Sequence, residues 1–192
     1  MLTAEKRALR EKLLRRLDAL SDAYIAEAGA KMTALVTSCP VYQGSRALFI
    51  YVSTAREPDT AGMIGDALRS GKAVYVPKCL PGGRMKAIRI KSRADLSPGF
   101  AGILEPVDGL PEVSPSPGEI DLAIIPCAGA ARDGRRLGRG GGYYDRFLAE
   151  TRAVRFCLCF EKLLSGDIPT AAHDVRMDYI ATENEIIRCG GA

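Results

Sequence analysis

The chain has 192 residues, 47% of them apolar, and a formal net charge of +4. That length supports one substantial core in one domain spanning residues 1–192, and no stretch approaches the ~20 consecutive apolar residues of a membrane span. The N-terminal charges precede no apolar leader, and the six cysteines and lone His173 form neither a zinc pattern nor a disulfide framework; the chain reads as cytoplasmic, with reduced, mostly buried thiols.

Residues 3–20 place Leu9, Leu13, Leu17 and Leu20 at helical spacing on a basic helix. Within residues 5–16 six basic side chains face two acidic ones, which accounts for the whole net charge. Lys6 and Arg10 lie one turn apart on one face, a pairing that can grip a phosphate or simply meet water. Ser21 and Asp22 supply N-cap chemistry for a second helix reaching Thr37, with Ile25, Ala28, Met32 and Leu35 inward and Pro40 closing it. Residues 47–52 are too uniformly apolar for a half-exposed strand and fit one covered on both faces, as in parallel sheets. Glu57 follows the end of that strand, where α/β folds place ligands. A helix over 58–70 ending at Gly71, then a strand over 73–77, complete a βαβ unit.

Between Leu80 and Gly118 proline and glycine are frequent, and only Met85–Ile90 alternates as an antiparallel or edge strand does. The rest of that region reads as loop. Residues 121–126 form another buried strand, a glycine loop and helix start follow, residues 153–160 add a further strand, and 178–182 the last. The sum is a single-domain three-layer α/β/α fold with a mostly parallel central sheet.

The segment RLGRGGGYYDR, Arg136 to Arg146, carries the most chemistry. Gly138, Gly140, Gly141 and Gly142 can adopt positive φ and expose backbone N–H groups to an anion. The loop is read as lying directly between a strand and a helix N-terminus, which favours negative charge. Arg132, Arg135, Arg136, Arg139 and Arg146 add a positive field. The spacing matches neither the P-loop nor the dinucleotide fingerprint. Adjacent Tyr143 and Tyr144 point about 100° apart on a helix, so one is expected to face a ligand and the other the core. Asp145 and Asp174 can share one crevice and, with water and phosphate oxygens, suit Mg²⁺; Asp174 can equally cap a turn. His173 reads as a packed or hydrogen-bonded residue. The basic helix has no aromatic interleaving and belongs to no nucleic-acid module, so a small polyanion explains the arginine loop better than nucleic acid does.

Taken together, KRALR (6–10), YVSTAREPDT (51–60), GKAVYVPK (71–78), GILEP (102–106), DLAIIP (121–126), GRRLGRGGGYYDRFL (134–148) and IPTAAHDVRMD (168–178) resemble the 5-formyltetrahydrofolate cyclo-ligase, or methenyltetrahydrofolate synthetase, family. The resemblance spans nearly the whole chain, and its RLGxGxGYYDR-type segment is highly specific. It implies an enzyme that uses ATP and Mg²⁺ to close 5-formyltetrahydrofolate to 5,10-methenyltetrahydrofolate. Transfer of the γ-phosphoryl to the formyl oxygen makes a leaving group that N10 displaces.

The same resemblance implies that Lys6, Arg10, Arg136, Leu137, Gly138, Arg139, Gly140, Gly141, Gly142 and Tyr144 bind ATP, and that Asp145 and Asp174 hold Mg²⁺. Glu57 and Tyr143 would meet the folate, with Arg139 and Tyr143 at the reacting groups. The family pattern departs at CAGAARDG (127–134), where Ala130 and Ala131 replace an aromatic and an acid, and in EKLLSGD (161–167), where a glutamine is missing. Both departures imply an altered folate-pocket wall. Two other readings stay open: a sugar-phosphate isomerase or acyl-transferase relative that uses the arginine loop for a substrate phosphate, and a nucleic-acid-binding module built on the basic helix.

Overall fold

A computed structural model of the protein describes residues 2–99, 103–113 and 118–190, so Gly102 of the GILEP segment lies outside the described residues. Helix α1 spans Leu2–Asp18 and buries Leu13 and Leu17, while Leu9 is partly covered and Leu20 is buried just past the helix end. Helix α2 (Asp22–Ser38) begins where the Ser21 hydroxyl oxygen accepts the Tyr24 N–H, as expected of an N-cap. It buries Ile25, Ala28, Gly29, Met32 and Val36. Leu35, expected inward, is partly exposed. Ten residues beyond Ile25, it falls about 80° off the stripe that Val36 rejoins. Pro40 ends α2 and opens the short α3 (Pro40–Gly44) from its first turn, where its missing N–H costs nothing.

Strand β1 (Ala47–Ile50) leads through α4 (Ala61–Arg69) to β2 (Ala73–Leu80). The helix starts three residues later than the sequence suggests. The Pro58 carbonyl accepts the Tyr51 hydroxyl, and the Thr60 hydroxyl donates to the Tyr51 carbonyl, which pins 58–60 back against the strand. Past Pro77, β2 continues because β3 (Arg84–Ile90) pairs with it antiparallel along its whole length. The region read as loop holds more structure: β4 (Leu96–Pro98) and β5 (Leu104–Pro106) form a small hairpin, and β6 (Glu112–Val113) pairs outside β3.

After β7 (Leu122–Pro126) the chain makes a ribbon of β8 (Gly129–Ala130) and β9 (Arg136–Leu137) before the glycine loop. The loop therefore does not follow β7 directly. Helix α5 (Tyr143–Ala149), β10 (Val154–Leu158), β11 (Tyr179–Ala181) and β12 (Ile186–Arg188) complete the chain; β12, not 178–182, is the last strand.

The sheet has eight strands in the order β12-β11-β10-β7-β1-β2-β3-β6. The five from β11 to β2 are mutually parallel, and each of the outer three pairs antiparallel with its inner neighbour, so β12 and β3 run against the five and β6 with them. The crossover from β1 to β2 runs one way along the sheet and that from β7 to β10 the other. Right-handed crossovers then set α4 and α5 on opposite faces, giving the three layers of a single α/β domain. Phe49 of β1 stacks on Phe147 of α5 with ring centroids 4.3 Å apart. Because the chain leaves β1 and β7 in opposite directions, a crevice opens beyond their carboxyl ends, the usual place for a ligand in such a sheet.

Candidate active site

A cleft of about 1080 Å³ occupies that switch point. Its walls include Tyr51, Thr54 and Glu57 after β1, Pro126 and Cys127 after β7, the loop 136–142, Tyr143, Tyr144, Asp145 and Arg146 of α5, Lys6, Arg7 and Arg10 of α1, and Asp174. Every residue that the family resemblance assigns to binding or catalysis lies along this one cleft, whereas Arg132 and Arg135 do not line it and pair instead with Glu161, Glu185 and Asp133.

Three ion pairs organise it. Arg139 Nη2 lies 3.1 Å from Glu57 Oε1, with the guanidinium half-exposed and the carboxylate nearly covered. The other Glu57 oxygen accepts from the Thr54 N–H and hydroxyl, each at 2.9 Å, so this carboxylate is held by its own turn. Arg136 donates to Asp145 Oδ1 at 3.0 Å and to the Pro126 carbonyl at 3.2 Å. Its Nε is buried without a partner among the described residues. Lys6 pairs with Asp174, whose Oδ2 also accepts the Ala171 N–H at 2.6 Å. Burial pushes the Asp174 carboxyl up, but the Lys6 ammonium and the Ala171 N–H together hold it below the usual range.

Asp145 and Asp174 come together because Val175, next in chain to Asp174, donates its N–H to Asp145 Oδ1 at 3.3 Å. Among the described residues no hydrogen bond reaches Asp145 Oδ2, and Asp174 Oδ1 has only His173 Nε2 at 3.8 Å. Each carboxylate thus keeps one oxygen for another ligand. No cluster of three or more histidine, cysteine or carboxylate side chains able to hold a metal occurs among the described residues. Two carboxylate oxygens with phosphate and water fit Mg²⁺, which takes few protein ligands at nucleotide sites.

Within the loop only Gly140 (φ 105°) and Gly142 (φ 67°) take positive φ; Gly138 and Gly141 do not. Gly141 has another reason to lack a side chain, since a Cβ there would meet the Tyr143 ring at 2.7 Å. The backbone N–H groups of Gly140, Gly141 and Gly142 make no hydrogen bond among the described residues. Arg10 Nε braces the loop by donating to the Gly138 carbonyl at 2.8 Å. Helix α5 is only seven residues long, so its aligned peptides add little charge. Arginines and loop N–H groups supply the field.

Several single assignments shift. Leu137 sits in β9 with its side chain in a small cluster with Leu13, Ala131 and Ile168. Both tyrosines border the cleft rather than one, although Tyr144 leans on the core and Tyr143 lies under the Arg146 guanidinium, 5.9 Å from ring centroid to Cζ. Burial and the nearby Glu57 charge push the Tyr144 hydroxyl well up, so it stays protonated. Ala130, Ala131 and residues 161–167 lie outside the cleft wall, behind the loop, so they do not reshape that wall directly. Sequence reading did not single out Arg7, Thr54, Cys79, Glu105 and Cys127, which face the cleft; Arg7, Thr54 and Glu105 lie inside segments that carry the resemblance, but nothing in their spacing sets them apart from their neighbours.

Residues 2–183 match the model of the 5-formyltetrahydrofolate cyclo-ligase family. The 5-formyltetrahydrofolate cyclo-ligase of Mus musculus is 30% identical over 194 residues, covering 95% of this chain and 96% of its own length. That of Escherichia coli K12 is 28% identical, covering 80% and 86%. The solution structure of Aquifex aeolicus 5,10-methenyltetrahydrofolate synthetase superposes with a TM-score of 0.85 at 28% identity, over 97% of this chain and 94% of that one. With a match over nearly its whole length and the fold and cleft to accompany it, the chain belongs to the 5-formyltetrahydrofolate cyclo-ligase family.

Proposed function

We propose that the cleft binds ATP with Mg²⁺ beside 5-formyltetrahydrofolate, and that the protein is an ATP-dependent ligase of one-carbon metabolism yielding 5,10-methenyltetrahydrofolate, ADP and phosphate. The observation that carries this reading is the Arg139–Glu57 pair, which joins the glycine loop to the opposite wall at 3.1 Å. A phosphate-type loop and a carboxylate suited to a pterin's N–H groups thereby share one crevice. The relatives named above act on this folate, and the chain belongs to their family.

The chemistry asks for positioning and charge more than for a protein nucleophile. A formyl oxygen is a poor leaving group until it carries phosphate, after which N10 of the folate can displace it. Arg139, half-exposed and movable, neutralises charge at the transferring phosphoryl. The N–H groups of Gly140 to Gly142 and the cations Lys6 and Arg10 receive the nucleotide's phosphates, with Arg136, Leu137 and Gly138 fixing the loop beneath them and Tyr144 backing it. Glu57 accepts from the pterin ring, and Tyr143 flanks it. Asp145 and Asp174 would hold Mg²⁺, which supplies charge neutralisation on the phosphate oxygens when bound. The described helices include none long and apolar enough to cross a membrane, and all six cysteines are unpaired. Unpaired thiols accord with a reducing compartment such as the cytoplasm.

The test is the product's near-ultraviolet absorbance. It should rise only when ATP, Mg²⁺ and 5-formyltetrahydrofolate are all present, and Arg139→Ala should lower kcat by roughly a hundredfold or more. ADP release at full rate without the folate would refute the reading.

A further inference from the structure

We propose that Arg146 is a positioning residue for the glycine loop: with the turn between β2 and β3 it fixes the peptide joining Gly141 to Gly142, so that the Gly142 N–H is presented to a phosphate. This role rests on the nucleotide reading given above. The turn, Pro81–Gly83, does not itself line the cleft. Arg146 Nε donates to the Gly83 carbonyl at 2.8 Å, and Nη2 donates to the Gly141 carbonyl. These two nitrogens form an edge with which an arginine can take a phosphate bidentately. Here each is spent on a backbone carbonyl, one from the hairpin and one from the loop. The guanidinium therefore acts on the shape of the loop rather than on the ligand.

A peptide group is planar and trans, so its C=O and N–H point in opposite directions. Holding the Gly141 oxygen against Arg146 turns the Gly142 N–H away from the cation, and that N–H makes no hydrogen bond among the described residues. Drawing on the oxygen also polarises the peptide and strengthens its N–H as a donor. Arg10 does the same at the other end of the loop, where its Nε holds the Gly138 carbonyl at 2.8 Å and so turns the Arg139 N–H away. Glycine backbone resists such rotations least, so its donors need an outside reason to face one way. Arginine side chains supply it at both ends.

Glycines make the space that the Arg146 guanidinium occupies. A Cβ at Gly83 would lie 1.8 Å from Arg146 Nη2, and one at Gly142 would lie 2.9 Å from Nη1. The Tyr143 ring covers a further side, its centroid 5.9 Å from Cζ. Gly82 is a control supplied by the fold. Its φ of 75° nearly equals the 72° of Gly83, yet a Cβ at Gly82 would meet nothing within 4 Å. Alanine at either position carries the same backbone strain, and only at Gly83 does it evict Arg146.

The test titrates ADP with Mg²⁺ into the wild type, Gly82→Ala and Gly83→Ala, and measures KM for ATP and for 5-formyltetrahydrofolate in each. Gly83→Ala should raise the ADP Kd and the ATP KM roughly tenfold, as for one misdirected hydrogen bond to a charged group, and leave the folate KM near its wild-type value. Gly82→Ala should leave all three constants near wild type, although thermal unfolding should show a similar loss of stability in both variants. Arg146→Met keeps the apolar stem, removes the donors and should match Gly83→Ala. In the wild type, ADP should protect the Gly142 amide against hydrogen exchange. Equal ADP affinities in the two alanine variants, or a Gly142 amide that ADP leaves unprotected, overturns the proposal; where Gly83→Ala fails to fold, unchanged ADP affinity in Arg146→Met does so. A wild type that binds no nucleotide overturns the proposed function as well, whereas nucleotide binding and folate turnover that survive Gly83→Ala unchanged overturn this inference alone.

Discussion

Arg136 and Asp145 meet at 3.0 Å with the guanidinium side chain only 2% exposed and the carboxylate 20% exposed. The pair ties β9 to α5 across the glycine loop, and the two partners differ in how well water could replace the other. Removing the carboxylate strands a buried cation whose Nε already lacks a partner. Asp145→Ala is therefore expected to cost about 3 kcal/mol. Arg136→Met leaves a carboxylate that water can reach and should cost roughly half as much. Urea unfolding of the two variants checks the order; equal losses would show that the burial asymmetry has no energetic weight.

Glu57 and Arg139 behave differently because the arginine is half-exposed. Glu57→Gln should change stability by less than about 1 kcal/mol, since screened pairs contribute little and Thr54 still binds the side chain. On the function proposed above its effect falls on the folate: KM for 5-formyltetrahydrofolate should rise at least about tenfold. KM for ATP should move little. Steady-state kinetics with each substrate varied in turn separates the two, and an equal rise in both would place Glu57 outside the folate subsite.

Gly134 is under more constraint than the loop glycines that first draw attention. Its φ is 90°, and a Cβ there would lie 2.5 Å from the Met177 carbonyl oxygen, a backbone atom with no freedom to yield. Gly134→Ala is expected to lose about 3 kcal/mol. At Gly140, φ 105°, a Cβ would meet only the Arg10 guanidinium at 3.5 Å. Gly140→Ala should cost about 1–2 kcal/mol from backbone strain alone. Thermal unfolding of both variants tests the ranking.

Acid sensitivity has a source away from the cleft. Asp178 accepts two hydrogen bonds from the Arg155 guanidinium, at 2.7 and 2.8 Å, and the Arg155 N–H at 2.8 Å. Burial raises its pKa, but these bonds outweigh it and leave the carboxyl below its ordinary value. A depressed carboxyl contributes stability that is complete above about pH 4 and lost as pH falls through the lower folded value. Asp178→Asn should flatten the fall in stability between about pH 4 and pH 2 while lowering stability at neutral pH. An unchanged acid slope would show that Asp178 is not among the titrating groups.

The long apolar runs were readable because a strand covered on both faces has no use for alternation. Residues 47–52, 121–126 and 153–160 became the three adjacent central strands β1, β7 and β10 for that reason. The short elements were not readable. A two-residue strand such as Glu112–Val113 exists only because Ala87 and Ile88 offer it a free edge, and nothing within its own sequence encodes that partner. The ribbon that separates β7 from the glycine loop likewise depends on Gly129 meeting Leu137.

By itself the sequence determined the α/β class and the composition of the cation-rich glycine loop, because these follow from periodicity and from residue chemistry; the full set of residues that converge on one cleft was implied by the family resemblance its motifs carry. Only the tertiary structure decided how those charges are spent. Arg136 is sealed against Asp145, while Arg139 stays half-exposed against Glu57, although both belong to one short motif. Proximity along the chain cannot fix whether a cation faces water or a carboxylate. That outcome depends on burial and on partners supplied by distant segments, and it separates an arginine sealed beneath the loop from one left half-exposed at the cleft.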